Sequence, residues 1–203
     1  MNGRLERWLR HFQRHLERFY DLERAPNVYE FLQEGGGGAR EQLLVREGPD
    51  GVFIALVIPP NQPPEGLLTL SDEWAQLIEG VSHFLFLAER ARRELSTTQL
   101  ELELQAEIDK FILLSHLKSN LTTGATEEWV RALLSLHQRL YEEVRFLHDE
   151  QTDEGVRYRL ANRWAARYVF RLMQQGNPGQ WRERLRTFYH AGPAEKISLL
   201  NAA

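Results

Sequence analysis

The sequence predicts a mainly α-helical protein, an antiparallel helical bundle with one β-hairpin insertion. Over the first 25 residues, and again from Ser71 onward, apolar residues recur at the three- and four-residue spacing of helices. Between these regions, Gln42–Arg46 and Val52–Ile58 read as strands that flank the turn-forming sequence Pro49-Asp50-Gly51. Short connections between the later helices favour antiparallel neighbours.

The first predicted element is an amphipathic helix that ends before Pro26, because proline cannot continue a helix. A short second helix is predicted from Val28 to Glu34. The four glycines at 35–38 then predict a loop, since glycine disfavours regular elements. The hairpin follows at about residues 41-58, and the prolines between positions 59 and 64 predict an extended connector.

The second half of the chain predicts a run of helices. Their approximate bounds are Ser71 to Glu94, Thr98 to Lys118, Gly124 to His148, Glu154 to Gln174, Gln180 to Tyr189, and a last short piece from Pro193 to Leu199. Thr98 and Glu101 have the spacing of a capping box. A chain of 203 residues is long enough for one well-buried core, so we expect a single domain. It would comprise an N-terminal amphipathic helix region at 1-34, the loop, hairpin and connector at 35-70, and the main bundle at 71-203.

The predicted core consists of the apolar positions that face inward on these helices. They are Trp74, Ile78, Val81, Leu85, Leu100, Leu104, Ile108, Phe111, Trp129, Leu133, Leu140, Leu160 and Trp164.

Composition excludes several classes of function. The chain has no cysteine, which excludes disulfides, thiolate metal sites and cysteine nucleophiles. Its net charge of -4 gives no overall attraction to nucleic acid or to an anionic membrane. The N-terminus lacks the apolar segment of a signal peptide, and the most apolar stretch, Val81–Ala88, is too short to cross a bilayer. We therefore expect a cytoplasmic protein without a membrane span.

Nucleophile-elbow, phosphate-loop and dinucleotide-binding motifs are also absent from the sequence.

Acidic residues and a histidine interrupt the apolar pattern of two consecutive helices. Glu79 and His83 lie one turn apart on the first, and Glu103 and Glu107 one turn apart on the second. A buried carboxylate is costly unless it is paired, hydrogen-bonded or bound to a metal. Glu79 and His83 have the chemistry to ligate a metal or transfer a proton, although a simple structural hydrogen bond is the favoured interpretation. Glu103 and Glu107 favour a cation between them, which is either an arginine or a metal. The spacings differ from the Glu-x-x-His pattern of di-metal bundles, so we predict neither a metal nor a cofactor.

An arginine row recurs every four residues on a later helix, at Arg159, Arg163, Arg167 and Arg171. Four like charges repel unless anions neutralise them. The favoured interpretation is that Arg163 and Arg167 pair with Glu103 and Glu107, completing a buried polar site with Glu79 and His83. Alternatively the row binds an external anion such as nucleic-acid phosphates, with neighbouring aromatic residues stacking on bases.

These features support three functional hypotheses. The favoured one is a non-catalytic binding or scaffold protein that contacts another protein, or a second copy of itself, through the hairpin edge and the N-terminal helix. The first alternative is a metal- or anion-binding enzyme or sensor that uses the buried Glu/His/Arg site. The second is an RNA- or DNA-binding accessory protein that uses the arginine row, which the acidic total charge disfavours.

Overall fold

A computed structural model describes residues 3–23, 25–33, 41–48, 51–59, 72–119, 126–175 and 178–201. Within these residues the protein is mainly α-helical, with a small three-stranded sheet inserted after the first helix. The predicted fold class is confirmed. The predicted glycine loop at 35–38, the turn residues Pro49 and Asp50, most of the proline connector, and Gly124 lie outside the described residues.

Helix α1, Gly3–Tyr20, is amphipathic as predicted and buries Leu9, Phe12 and Leu16. It ends at Tyr20 rather than just before Pro26. The reason is local: Asp21 adopts a left-handed φ of 59°, and the Leu22 amide donates to the Glu17 carbonyl at 2.9 Å. This bond closes the helix with a Schellman-type cap.

The insertion contains one more strand than the sequence predicted. A 3₁₀ turn at Val28–Phe31, shorter than the expected helix, leads into β1, Leu32–Gln33, which pairs parallel with β3, Gly51–Val57. Strand β2, Gln42–Gly48, pairs antiparallel with β3 as predicted, so the sheet order is β1-β3-β2. With only two residues, β1 is too short for periodicity to reveal it.

The remaining helices form the bundle around a central helix, α3. They are α2 (Asp72–Arg92), α3 (Gln99–Ser119), α4 (Thr126–His137), α5 (Asp153–Gln175), α6 (Pro178–His190) and α7 (Pro193–Asn201). Helix α3 packs against α2 on one side and against α5 on the other. Strand β3 lies close to α2 at Gly80, where an added Cβ atom would be 2.9 Å from Leu56 Cδ1.

Helix α4 is shorter than predicted. The α-helix ends at His137 and not at His148. A wider π-helical turn, Gln138–Glu142, follows it directly. The Asn162 side-chain amide donates to the Leu140 carbonyl at 3.4 Å, which gives a carbonyl of the widened turn a partner outside it.

Most of the predicted core is buried as expected. The predicted core residues Leu100, Trp129 and Trp164 are only partly buried and pack at the margin of the core, and Leu160 is also only partly buried. In the described part of the chain, no helix combines the length and apolar character needed to cross a bilayer.

Candidate functional site

Helix α3 carries an unusual number of buried polar side chains because it lies between α2 and α5. Its buried polar residues are Glu101, Glu103, Gln105, Glu107, Asp109 and Lys110. Five of them belong to two networks, and Glu101 instead binds Arg90 of α2. We call Glu79, His83, Glu103, Glu107 and Lys110 the α2–α3 network, and Tyr20, Ser82, Gln105 and Asp109 the Asp109 network.

The centre of the α2–α3 network is the ammonium group of Lys110. Its Nζ lies 2.6 Å from Glu79 Oε1 and 2.9 Å from Glu107 Oε1, and all three residues are buried. Burial alone would lower the pKa of Lys110, but the negative charges of Glu107 and Glu79 outweigh it and raise that pKa above its ordinary value. Lys110 is therefore a permanent cation held between two carboxylates.

His83 and Glu103 form a second pair in the same network. His83 Nε2 lies 3.7 Å from Glu103 Oε2. Burial lowers the pKa of His83 to about 4 and raises the pKa of Glu103 to about 7. Between about pH 4 and pH 7 the carboxyl group therefore holds the proton and both groups are neutral. Arg157 can pair with Glu103 once this carboxyl group ionises, because Arg157 Nε is 4.0 Å from Glu103 Oε1.

The structure brings together four of the predicted site residues, Glu79, His83, Glu103 and Glu107, but not Arg163 and Arg167. Both arginines are exposed on α5. The expected arginine partners are thus replaced by Lys110. Helix α5 turns its ridge of small residues, which includes the fully buried Ala161 and Ala165, toward the core. The sequence does hold a signal for Lys110, because it lies three residues after Glu107, a spacing that brings side chains together on a helix.

The arginine row does not present four equivalent guanidinium groups. Arg159 Nη1 donates to the backbone carbonyls of His148 and Gly155, each at 3.0 Å. Arg171 Nη2 donates to the Leu200 carbonyl at 2.5 Å, near the end of α7. Arg159 and Arg171 therefore bind backbone carbonyls of neighbouring segments. Of the four arginines, Arg163 and Arg167 alone are exposed.

The Asp109 network ties three helices together. Asp109 Oδ1 accepts hydrogen bonds from the Tyr20 hydroxyl at 2.6 Å and from Gln105 Nε2 at 2.9 Å, and Oδ2 accepts one from the Ser82 hydroxyl at 2.6 Å. Burial raises the pKa of Asp109 to about 6, although these hydrogen bonds stabilise its charged form. Sequence reasoning did not single out Asp109 as a site residue, and its only signal was a carboxylate within an apolar run.

Lys196 of α7 is a further buried ionisable group. It is 2% exposed, and its Nζ lies 4.3 Å from the centre of the Phe86 ring. Burial lowers the pKa of Lys196 to about 7, although the Glu101 carboxylate partly opposes this shift. Glu101 itself is bound by Arg90 at 2.6 Å. Lys196 thus helps to fix α7 against the aromatic core.

These networks can hold helices in place and exchange a proton near neutral pH. Within the described ranges, no group of three or more histidine or acidic residues is arranged to hold a metal ion. No protein-family model, curated protein or solved structure matches this chain.

Proposed function

We propose that this chain is a non-catalytic cytoplasmic binding protein that recruits another protein, or a second copy of itself, by strand addition to β2. The observation that carries the proposal is the open edge of β2. This seven-residue strand pairs with β3 on one side, and none of the described residues pairs with its other side. An open edge offers unpaired N–H and C=O groups to another strand.

The exposed side chains of the hairpin also support the β2 edge as the binding surface. Leu44, Val45 and Phe53 are each about half exposed, at 49%, 47% and 49%. Arg46 lies opposite Phe53 in the register, and its guanidinium is 5.1 Å from the centre of the Phe53 ring. Exposed apolar side chains next to an open strand edge are a combination that proteins usually avoid unless a partner covers it.

The α2–α3 network supports a non-catalytic role. Lys110 is held by two carboxylates at hydrogen-bonding distance, which commits its charge to the fold. A second copy is the simplest partner for β2, because two identical edges related by a two-fold axis pair with each other.

The proposal is tested by sedimentation equilibrium of the wild-type protein and of the double variant Leu44→Lys/Val45→Lys. The wild type is expected to dimerise and the variant to stay monomeric, because lysine on an edge strand opposes pairing. Val156→Lys is the matched control, since Val156 is 53% exposed on α5, away from the sheet. A monomeric wild type, whose outward-facing β2 amides (those not bonded to β3) exchange freely, would contradict pairing with a second copy.

A proton-responsive sensor is the second candidate function. It rests on the His83–Glu103 pair, because the carboxyl with a pKa of about 7 is buried between α2 and α3. Loss of its proton would place a new charge inside the bundle. Heteronuclear NMR of the Glu103 side chain through pH 5 to 9 tests this candidate, and a midpoint near 4.5 would exclude it.

A further inference from the structure

A cavity of about 470 Å³ lies where α1, α3, α4 and α6 meet. Its size is within the range of small-molecule sites, roughly 300–1,000 Å³. The lining residues used below are His15 and Arg18 of α1, His116 of α3, Trp129 of α4, and Trp181 and Arg182 of α6. This cavity is separate from the β2 edge proposed above as the protein-binding surface.

Two indoles that stack on each other form one wall of this cavity. The Trp129 and Trp181 rings have centroids 5.4 Å apart and planes 17° apart. Phe111, Ile112 and Leu185 add apolar surface from α3 and α6. Such a wall binds planar or aliphatic groups, because stacking and burial of apolar area are favourable there.

Every ionisable side chain in the described lining is basic. His15, Arg18, His116 and Arg182 contribute imidazole and guanidinium groups, and no aspartate or glutamate of the described residues lines the cavity. Arg182 Nη2 donates to the Arg18 carbonyl at 2.6 Å, which fixes the guanidinium at this surface. No described carboxylate forms an ion pair with Arg18 or Arg182. The cavity therefore has a positive potential that favours an anion.

His15 lies against a second histidine of the lining and responds to that potential. The ring centroids of His15 and His116 are 4.2 Å apart. Burial, followed in decreasing order by the electrostatic effects of His116, His11, Arg182 and Arg18, lowers the pKa of His15 to about 4. A bound anion would oppose these charges and let His15 keep a proton.

We infer that this cavity binds a small organic anion whose apolar body lies on the Trp129–Trp181 wall and whose carboxylate or phosphate faces Arg18 and the two histidines. The aromatic wall supplies most of the buried contact. The basic groups select the charge of the ligand.

Isothermal titration calorimetry with indoleacetate, naphthyl phosphate and neutral indoleacetamide tests this inference. We expect saturable one-to-one binding of at least one anion, with the amide about tenfold weaker or more, since one charge contact is worth about a factor of ten. The relative affinities of the carboxylate and the phosphate then identify the preferred head group. At pH 6 the anion should also bring proton uptake, seen as a dependence of the heat on the buffer.

Variants locate the site. Arg18→Gln and Trp181→Leu should each weaken binding of the anion by about tenfold, and His15→Gln should reduce the proton uptake. Arg7→Gln is the matched control, because Arg7 is an exposed arginine of α1 outside the cavity lining, and it should bind like the wild type. If Trp181→Leu fails to fold by circular dichroism, Trp129→Leu takes its place.

Three results would overturn the inference: no saturable binding up to about 1 mM ligand, equal affinity for the amide and the carboxylate, or affinities unchanged by the Arg18 and tryptophan variants. None of these variants changes the hairpin, so failure here is distinguishable from failure of the strand-addition proposal.

Discussion

At the scale of single residues, Glu103 and His83 couple stability to pH in opposite directions. The folded-state pKa of Glu103, about 7, is above its ordinary 4.5, so its contribution is full below 4.5 and is lost as pH rises through 7. The folded-state pKa of His83, about 4, is below its ordinary 6.5, so its contribution is lost as pH falls from 6.5 through 4. Between pH 4.5 and 6.5 the two effects offset each other.

Single substitutions should separate these two effects. Relative to wild type, Glu103→Gln should gain stability as pH rises from 4.5 to 7, by up to about 3 kcal/mol over the range. His83→Gln should instead lose stability relative to wild type as pH rises from 4 to 6.5. Urea unfolding at half-unit pH intervals measures both differences. Parallel curves for wild type and both variants would contradict the neutral-pair interpretation.

Lys110 is the residue on which the α2–α3 network depends most. Lys110→Met keeps the length of the side chain but leaves the carboxylates of Glu79 and Glu107 without their shared cation. We expect a loss of about 3–5 kcal/mol in the free energy of unfolding, the usual cost of breaking a buried ion pair. Denaturant unfolding measures this loss.

Two controls accompany the Lys110 variant. The triple variant Glu79→Gln/Glu107→Gln/Lys110→Met should recover most of the lost stability, because it leaves no buried charge alone. Arg163→Met should change stability by only about 0.5 kcal/mol or less, since Arg163 is exposed. A large effect of the Arg163 change, with a small effect at Lys110, would restore the arginine pairing expected from the sequence.

At the scale of elements, the Asp109 network predicts how α1 is attached. Tyr20→Phe removes the hydroxyl that donates to Asp109 Oδ1 at 2.6 Å while keeping the aromatic ring. We expect a loss of about 1–3 kcal/mol, because a buried acceptor loses a partner. Relative to wild type, the substitution should accelerate amide hydrogen exchange in α1 more than in α5. Tyr29→Phe, outside this network, is the control, and equal effects of the two changes would argue against a specific attachment.

The elements also show what sequence reasoning can and cannot predict. The capping box at Thr98 and Glu101 was predicted and is present, with the Glu101 amide donating to Thr98 Oγ1 at 3.2 Å, because its signal lies within four residues. The end of α1 at Tyr20 depends on the left-handed backbone of Asp21, and the π turn after His137 is contacted by the distant Asn162. Neither leaves a periodic signal.

The candidate site was also predicted only in part from the sequence. Burial of Glu79, His83, Glu103 and Glu107 followed from their positions in apolar helices. The exclusion of Arg163 and Arg167 from the network did not follow, because it depends on which face α5 turns toward α3. Periodicity placed the arginines on a ridge beside two apolar ridges and left that choice open.

At the scale of the whole molecule, the charge distribution tests the nucleic-acid alternative. The chain carries a net charge of -4, and only Arg163 and Arg167 of the arginine row are exposed. Because non-specific binding depends on the number of phosphates that are neutralised, we expect no measurable binding of a single-stranded RNA oligomer at physiological salt. Fluorescence anisotropy over a series of salt concentrations measures this. Binding that falls steeply with salt and is lost in Arg163→Gln/Arg167→Gln, but not in Arg7→Gln, would instead establish the arginine row as the functional surface.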